Sequence, residues 1–186
     1  MRIHLLGPSG SGTTTLGKRI SEFYEIPWFD SDDFFWLPSN PPFSETRSRE
    51  ERIELLKSSA SGKKSFVLSG SIMGWGNFLM DDLELAIYKY VDREERLARL
   101  ERREKEKFGA RLEEGNDMFA NHRKFMDWAM RYEDGDMTMR SRMSEAAWMG
   151  KLRCPIVRIE RNISIAEEMD IVAEAIEKAL SPSAAR

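Results

Sequence analysis

The chain has 186 residues, of which 41% are hydrophobic and 33% are charged, and its formal net charge is −3. This length suits one domain, or one domain with an inserted lid, and the apolar content supports a buried core. The slightly acidic balance argues against nucleic acid or a membrane surface as a partner. No run approaches the roughly 20 apolar residues of a membrane helix. With one cysteine, Cys154, and no signal-peptide pattern, we expect a cytoplasmic protein.

Apolar runs alternate with helical patterns along the chain, which predicts a parallel sheet with crossover helices. Five short apolar runs predict strands, at 2–6, 26–29, 65–68, 85–91 and 155–159. Helical spacing predicts the connecting helices, at 13–25, at 45–61, after Asp92 and after Ser164. Three prolines within 34–43 predict a loop there.

Polar residues mark the starts of the last two of these helices. Asp92 is followed three residues later by Glu95, and Ser164 is followed at the same spacing by Glu167. In a capping box each side chain of such a pair bonds to the backbone amide of the other, which satisfies two donors that a helix start leaves open. We therefore expect a capping box at both positions.

The pattern changes between 109 and 150, where glycine, methionine and charged residues dominate. Short helical stretches are predicted at 125–132 and 144–152. We interpret 109–150 as a lid-like insertion within a single domain that spans 1–186. Residues 182–186 have the composition of a frayed end.

A glycine-rich segment joins the first strand to the first helix, with the sequence Gly7-Pro8-Ser9-Gly10-Ser11-Gly12-Thr13-Thr14. Glycines permit a tight turn, and successive backbone amides together with the helix N-terminus form a concavity for anions. The segment therefore predicts a site for nucleotide phosphates, with the Thr14 hydroxyl placed to reach a shared Mg²⁺ ion. The predicted phosphate-binding residues are Gly7, Ser9, Gly10, Ser11, Gly12, Thr13, Thr14 and Thr15. The alternative is an ordinary turn rich in glycine and serine.

Thr13 stands where the common phosphate-binding loop has a lysine. That lysine normally contacts the β- and γ-phosphates and stabilises charge in the transition state. Its absence leaves the backbone cradle intact but removes one cation. Lys18 lies on the same helix and points elsewhere if the helix is regular, whereas arginines of the predicted lid can supply the charge.

Four polar residues follow the second strand, in the order Asp30, Ser31, Asp32 and Asp33. In a doubly wound sheet the carboxyl ends of the strands face the ligand crevice. Alternate carboxylates there can serve two functions, since one can hold Mg²⁺ through water and the next can orient or deprotonate an acceptor hydroxyl. The alternative is a solvated acidic turn in which Asp32 or Asp33 caps a helix.

Aromatic residues surround this acidic turn on both sides. We expect most of them to pack in the core or in the loop, and one or two to line an acceptor pocket. They are Trp28, Phe29, Phe34, Phe35 and Trp36.

Arginines flank the predicted lid. Arg102, Arg103 and Arg111 lie where it opens, and Arg140 and Arg142 lie where it closes. Arginines at such positions can clamp phosphates when a lid shuts. We expect the stretch from Arg93 to Glu104, which contains the first two of these arginines, to be mostly a solvated helix with ion pairs four residues apart.

The two histidines are isolated in the sequence, so with a single cysteine no zinc-type site is supported. His4 lies in the first strand, and we expect it to be packed in the core. His122 lies in the predicted lid, and we expect it on the surface.

Taken together, these residues resemble the small-molecule kinases of the P-loop superfamily, in particular adenylate kinase-related proteins and the shikimate and gluconate kinases. The resemblance rests on the loop at 7–15, on Asp30 and Asp32, and on the order of strands and helices that follows. It implies a three-layer α/β/α sandwich with a five-stranded parallel sheet, a mobile lid, an ATP site and Mg²⁺. By the pattern of shikimate kinases it also implies that Asp30 lies near Mg²⁺ and that Asp32 acts on the acceptor hydroxyl. The lid arginines of the family correspond to Arg102, Arg103 or Arg111.

Two classes of function remain open at this point. The first is an ATP-dependent kinase with a small acceptor, either a hydroxyl metabolite or a nucleoside monophosphate, and the carboxylate pair favours a hydroxyl. The second is a nucleotide-binding protein with little or no catalysis, or a slow NTPase, which Thr13 favours. In each case we expect a monomer or homodimer that binds neither nucleic acid nor a membrane.

Overall fold

A computed structural model describes residues 1–180 of the chain, so the frayed end expected at 182–186 lies outside the described residues. Five strands form one sheet in which every neighbouring pair is parallel, in the order β2-β3-β1-β4-β5. The strands are β1 (Arg2–Leu6), β2 (Trp28–Asp30), β3 (Phe66–Ser69), β4 (Leu85–Lys89) and β5 (Ile156–Ile159). The five predicted strands are confirmed, each within two residues of its predicted bounds.

Helices cover both faces of the sheet, which gives the predicted three-layer sandwich. They are α1 (Thr13–Tyr24), α2 (Ser31–Phe35), α3 (Arg49–Ala60), α4 (Arg93–Phe108), α5 (Phe119–Met130), α6 (Arg142–Met149) and α7 (Ile165–Leu180). Alternate side chains of a strand point to opposite faces. Ile3 and Leu5 therefore pack with α1 and α7, whereas Leu6 packs in the cluster that contains α3 and α6. Among residues 1–180, no helix combines the length and the apolar character needed to cross a membrane.

The two expected capping boxes have different outcomes. Glu167 N donates to Ser164 Oγ at 3.3 Å, and Ser164 N donates to Glu167 Oε2 at 2.9 Å, so this box is confirmed. Asp92 precedes α4 but makes no capping hydrogen bond with its side chain. Glu95 instead accepts a hydrogen bond from Arg99 Nε at 2.8 Å. The prediction at Asp92 is wrong because a cation four residues further along the helix engages the carboxylate that the box needs.

Three predicted helices have other bounds in the structure. The helix predicted at 45–61 begins four residues later, because Ser48 and Glu51 form a capping box that fixes the start of α3. The stretches predicted at 125–132 and 144–152 correspond to α5 and α6, and both helices begin earlier than predicted.

The short helix α2 interrupts the region predicted as a loop at 34–43. Asp32 N donates to Asp30 Oδ1 at 3.1 Å, so the last residue of β2 caps α2 and starts the helix at once. At the other end, Arg47 Nη1 donates to the carbonyl oxygen of Asp33 at 2.9 Å. A guanidinium bound to the last carbonyls also stabilises the helix through its charge. The irregular segment therefore begins only after α2.

The segment at 109–150 contributes to the core as well as to the surface. Trp148 and Met149 of α6 pack in the core cluster with α3, whereas α5 packs against α4. His122 of α5 is only 8% exposed and lies beside Glu104 of α4. The expectation that His122 is on the surface is therefore wrong, because the contact between α4 and α5 encloses it.

Candidate active site

The glycine-rich segment forms the turn between β1 and α1, at the carboxyl edge of the sheet. The backbone φ of Gly7 is +145° and that of Gly12 is +94°, conformations that residues with a side chain rarely adopt. A Cβ at Gly7 would lie 1.9 Å from the carbonyl oxygen of Lys89, so the turn passes directly over the end of β4. Gly12 is the N-cap residue of α1 and offers no capping side chain. The first amides of α1 have no intrahelical acceptor and are available to an anion.

Two arginines hold carbonyl groups of this loop. Arg96 Nη1 donates to Ser9 O at 3.0 Å, and Arg140 Nη2 donates to Gly7 O. Arg96 is fully buried on α4 and forms an ion pair with Glu133 at 2.5 Å. Because these carbonyl oxygens are engaged by cations, they repel an approaching phosphate less than free carbonyl groups would.

Arg140 is itself fixed by a buried polar network. Its Nε donates to Glu145 Oε1 at 2.7 Å, and the hydroxyl of Tyr132 donates to Glu145 Oε2 at 2.6 Å. The hydroxyl of Tyr88 lies 3.0 Å from that of Tyr132. Glu145 is fully buried, and both of its oxygens have a donor. The network links β4, the end of α5 and the start of α6 to the glycine-rich loop.

A buried lysine lies directly behind the loop. Lys89 Nζ lies 2.6 Å from Glu168 of α7, and a Cβ at Gly12 would lie 2.9 Å from the same nitrogen. Burial lowers the pKa of Lys89, and its bond to Glu168 opposes that shift. Lys18 points away from the loop, as expected, with its Nζ 4.7 Å from the centroid of the Trp28 ring.

Thr14 and Asp30 meet beside the loop. Thr14 Oγ1 donates to Asp30 Oδ2 at 3.2 Å, and burial raises the pKa of Asp30. Asp30 also has the capping role that the sequence offered to Asp32 or Asp33. No three His, Cys, Asp or Glu side chains of residues 1–180 are grouped to hold a metal ion. A hydroxyl with one carboxylate fits Mg²⁺, which takes its other ligands from water and phosphate.

Asp32 lies in the first turn of α2 and opens onto the same cavity as the loop. Asp32 is exposed to the cavity, so a ligand can reach its carboxylate. Partial desolvation by the cavity walls raises the pKa of this carboxyl group, and the charges of Arg140, Arg103 and Lys107 oppose the shift.

A cavity of about 1440 Å³ brings most of the predicted site residues together. The predicted residues that line it are Gly7, Ser9, Gly10, Gly12, Thr13, Thr14, Thr15, Asp30, Asp32 and Arg103. Ser11 is buried within the loop and is absent from the lining.

Of the three arginines predicted at the start of the lid, only Arg103 lines the cavity. Arg102 is exposed on α4, outside the lining. Arg111 also lies outside it, and its Nε and Nη2 donate to Asp117 at 3.0 and 2.6 Å.

Sequence reasoning missed Lys89, Arg96 and Glu145, which support the loop from behind. Arg96 belongs to a stretch rich in arginine and glutamate that was predicted to be a solvated helix face. The available signal is its spacing, because Arg96 precedes the inward residue Leu100 by four positions and so shares its face.

The chain is similar in sequence to an uncharacterized protein and to a kinase. No protein-family model matches the chain. The uncharacterized protein YqaC of Bacillus subtilis is 33% identical over 172 residues, which cover 92% of this chain and 95% of YqaC. A cytidylate kinase of Archaeoglobus fulgidus is 28% identical over 115 residues, which cover 56% of this chain and 62% of that protein.

Solved structures share the fold at low sequence identity. A shikimate kinase of Acinetobacter baumannii, solved with shikimate, has a TM-score of 0.57 and 17% identity, with coverage of 97% of this chain and 95% of that one. A gluconokinase of Sinorhizobium meliloti has a TM-score of 0.54 and 16% identity, with coverage of 96% and 93%. The chain therefore belongs to the same family as Bacillus subtilis YqaC, and its fold is that of the P-loop kinases.

Proposed function

We propose that this protein is an ATP-dependent kinase that transfers the γ-phosphoryl group to a hydroxyl of a small acceptor. The observation that carries the proposal is the arrangement of three groups at one edge of the cavity. Thr14 bonds to Asp30 beside the loop, and Asp32 follows two residues later among the charges of Arg103 and Arg140. Phosphoryl transfer requires amides that bind the phosphates, ligands for Mg²⁺ and a base for the acceptor, and these are the loop, Thr14 with Asp30, and Asp32.

The loop amides and the start of α1 would hold the triphosphate of ATP. Thr14 and Asp30 would hold Mg²⁺, which when bound neutralises charge on the phosphates. Arg140 lies against the loop through its bond to Gly7 O, and its charge also acts on the carboxylate of Asp32. Together with Arg103 it would supply the positive charge that Thr13 cannot.

Asp32 would orient the acceptor hydroxyl and take its proton. The acceptor oxygen then forms a bond to the γ-phosphorus while the bond from that phosphorus to the β–γ bridging oxygen breaks, and ADP leaves. The raised pKa of Asp32 favours this role, because a base nearer to neutrality accepts the proton more readily.

The segment at 109–150 would act as the lid of this site. Asn121 Nδ2 of α5 donates to Ser44 Oγ at 3.1 Å, and Ser44 lies in the loop after α2. This contact joins the two sides of the cavity at its edge. Arg102 and Arg111 stay predictions, and Arg111 would have to leave Asp117 to reach a phosphate.

The test combines an acceptor panel with one substitution. With ATP, Mg²⁺ and a panel of hydroxyl compounds and nucleoside monophosphates, we expect ADP formation that depends on the acceptor. Asp32→Asn should reduce this rate by about 100-fold or more, because general-base catalysis contributes on that order, and should leave ATP affinity unchanged. Asp82→Asn is the matched control, since Asp82 pairs with Arg2 near the opposite ends of the strands. Transfer by Asp32→Asn at the wild-type rate would refute the assigned role.

A nucleotide-binding protein with little or no catalysis is the second candidate, and Thr13 in the loop favours it. Lys89 does not take the place of the missing lysine, because its ammonium group is bound to Glu168 behind Gly12. Tight ATP binding without acceptor-dependent ADP would support this candidate. ADP formation without any acceptor would instead identify a slow NTPase.

A further inference from the structure

We propose that the acceptor carries a planar aromatic ring, which binds between two aromatic walls of the cavity while its reactive group faces Asp32. This inference rests on the proposed function and adds the chemical class of the acceptor. The first wall consists of Phe35, Trp36 and Phe43, and the second wall consists of Phe125 and Trp128.

The first wall is a chain of rings that begins at Phe35, in the same short helix as Asp32. The Phe35 and Trp36 centroids are 4.9 Å apart and those of Trp36 and Phe43 are 5.7 Å apart, both edge to face. Arg52 lies 3.8 Å from the centroid of Phe35, and all three rings of this wall line the cavity. Phe43 is 40% exposed. Rings held in fixed contact yet open to a cavity provide a surface on which a flat ligand stacks.

The second wall belongs to α5. Phe125 and Trp128 are stacked with centroids 6.1 Å apart and planes inclined by 26°. Arg103 lies 5.9 Å from the centroid of Phe125 and also acts on Asp32. The second wall is thereby joined through one guanidinium to the carboxylate at which transfer would occur.

Both walls contact helix α4. Lys107 lies 4.5 Å from the centroid of Phe43 in the first wall, and Arg103 lies beside Phe125 in the second. These two residues are four positions apart and so share one face of the helix. A ligand between the walls would have an aromatic surface on each side and cations along its edge, which suits an electron-rich ring.

Sheet order places the first wall and Asp32 on the same side of the phosphate-binding loop. The loop follows β1, and in the sheet β2 and β3 lie on one side of β1 while β4 and β5 lie on the other. Phe35 and Trp36 follow β2 through α2, as Asp32 does. Asp32 and the first wall therefore lie on one side of the phosphate-binding loop.

Calorimetry with the full chain, Mg²⁺ and a saturating non-hydrolysable ATP analogue tests the proposal without any need for turnover. The ligands are cytidine, cytidine monophosphate and 4-hydroxybenzyl alcohol, compared with the aliphatic compounds shikimate and gluconate. We expect at least one aromatic ligand to bind about tenfold or more tightly than either aliphatic one. The three aromatic ligands distinguish a nucleoside, a nucleotide and a simple aryl alcohol as the source of the ring. Equal or tighter binding of an aliphatic ligand would overturn the proposal.

Substitutions then test the walls themselves. Trp36→Leu and Trp128→Leu replace a ring by a smaller apolar side chain that cannot stack, and each should weaken binding of the aromatic ligand by about tenfold. Trp36→Phe keeps a ring and should retain most of the affinity. Phe23→Leu is the control, because Phe23 is 66% exposed on α1 and absent from the cavity lining.

The outcomes separate this inference from the proposed function. Ring binding without phosphoryl transfer would refute the kinase and leave the cavity as a binding site for an aromatic ligand. Transfer to aliphatic acceptors alone would support the kinase and refute the aromatic acceptor. If Trp36→Leu weakens the ATP analogue as much as the aromatic ligand, the first wall holds the nucleotide base and the inference is wrong.

Discussion

At the scale of single residues, the site depends on the backbone of the loop, and two glycines allow this dependence to be tested. Gly12 and Gly62 have positive φ values of +94° and +71°. A Cβ at Gly12 would lie 2.9 Å from Lys89 Nζ, whereas a Cβ at Gly62 would meet nothing within 4 Å. Lys89 cannot move away freely because it forms a buried ion pair with Glu168.

Substitution by alanine should therefore reduce stability at both glycines but should reduce the affinity for an ATP analogue only at Gly12. Gly12→Ala and Gly62→Ala should both lower the free energy of unfolding by about 1 kcal/mol through backbone strain. Only Gly12→Ala should also weaken an ATP analogue, by about tenfold or roughly 1.4 kcal/mol. Urea unfolding measures the free energy of unfolding, and calorimetry measures the affinity for the ATP analogue. Wild-type affinity in Gly12→Ala would show that the loop does not depend on its packing against Lys89.

The sequence predicts the residues that would face a ligand better than those that hold them. The loop glycines, Asp30 and Asp32 could be predicted because each follows a strand at a recognisable position. Lys89 could not, since a charged residue at the end of a strand is usually solvated. The spacing of Arg96 from Leu100 indicates that it faces inward but does not identify its partner. Only the fold brings Glu168 and Glu133 to them.

At the scale of elements, α6 and the end of α5 hold Arg140 on the loop through Glu145. Removal of the charge by Glu145→Gln should loosen Arg140, because a charge-assisted bond becomes a neutral one. If Arg140 stabilises the transition state, kcat should fall by about tenfold while the KM for ATP changes little. Steady-state kinetics over a range of ATP concentrations distinguishes the two parameters.

Tyr88→Phe is the matched control for this network. It removes the terminal hydroxyl, 3.0 Å from Tyr132, and leaves the contact between Arg140 and Glu145 intact. Loss of one buried hydrogen bond should reduce the free energy of unfolding by about 1 kcal/mol without an effect on kcat. Equal losses of kcat in both variants would mean that the network acts through stability alone.

The order of the elements could be predicted from the sequence, but their exact starts could not. The central strands β1, β3 and β4 are buried on both faces and are nearly continuous apolar runs. The edge strands β2 and β5 are only partly buried, but each lies in a short apolar run that the sequence shows. The helix starts depend on competition between local partners, as at Glu95, which bonds to Arg99 instead of completing a box. The helix α2 is only five residues long and has no apolar periodicity to detect.

At the scale of the whole molecule, His4 connects the central strand to the cavity. It is 1% exposed on β1, as expected for a core histidine, and its Nε2 lies 2.8 Å from the carbonyl oxygen of Gly70, which lines the cavity. Its ring also packs edge to face against Trp148. Burial lowers the pKa of His4 to about 4, against 6.5 for an exposed histidine, and the bond to Gly70 opposes that shift.

This shift makes global stability depend on pH in a defined window. Between pH 6.5 and 4 the unfolded chain binds a proton at His4 that the folded chain does not, so stability rises with pH there. The contribution is complete above pH 6.5 and is lost as the pH falls towards 4, for a total of about 3 kcal/mol.

Urea unfolding at pH 7, 6 and 5 measures this contribution of His4 to stability. In His4→Gln the decrease from pH 7 to 6 and 5 should be smaller than in the wild type, because carboxylates titrate mainly below this range. An identical decrease in both proteins would show that His4 becomes charged in the folded state without penalty, and that the packing around β1 and Gly70 tolerates the charge.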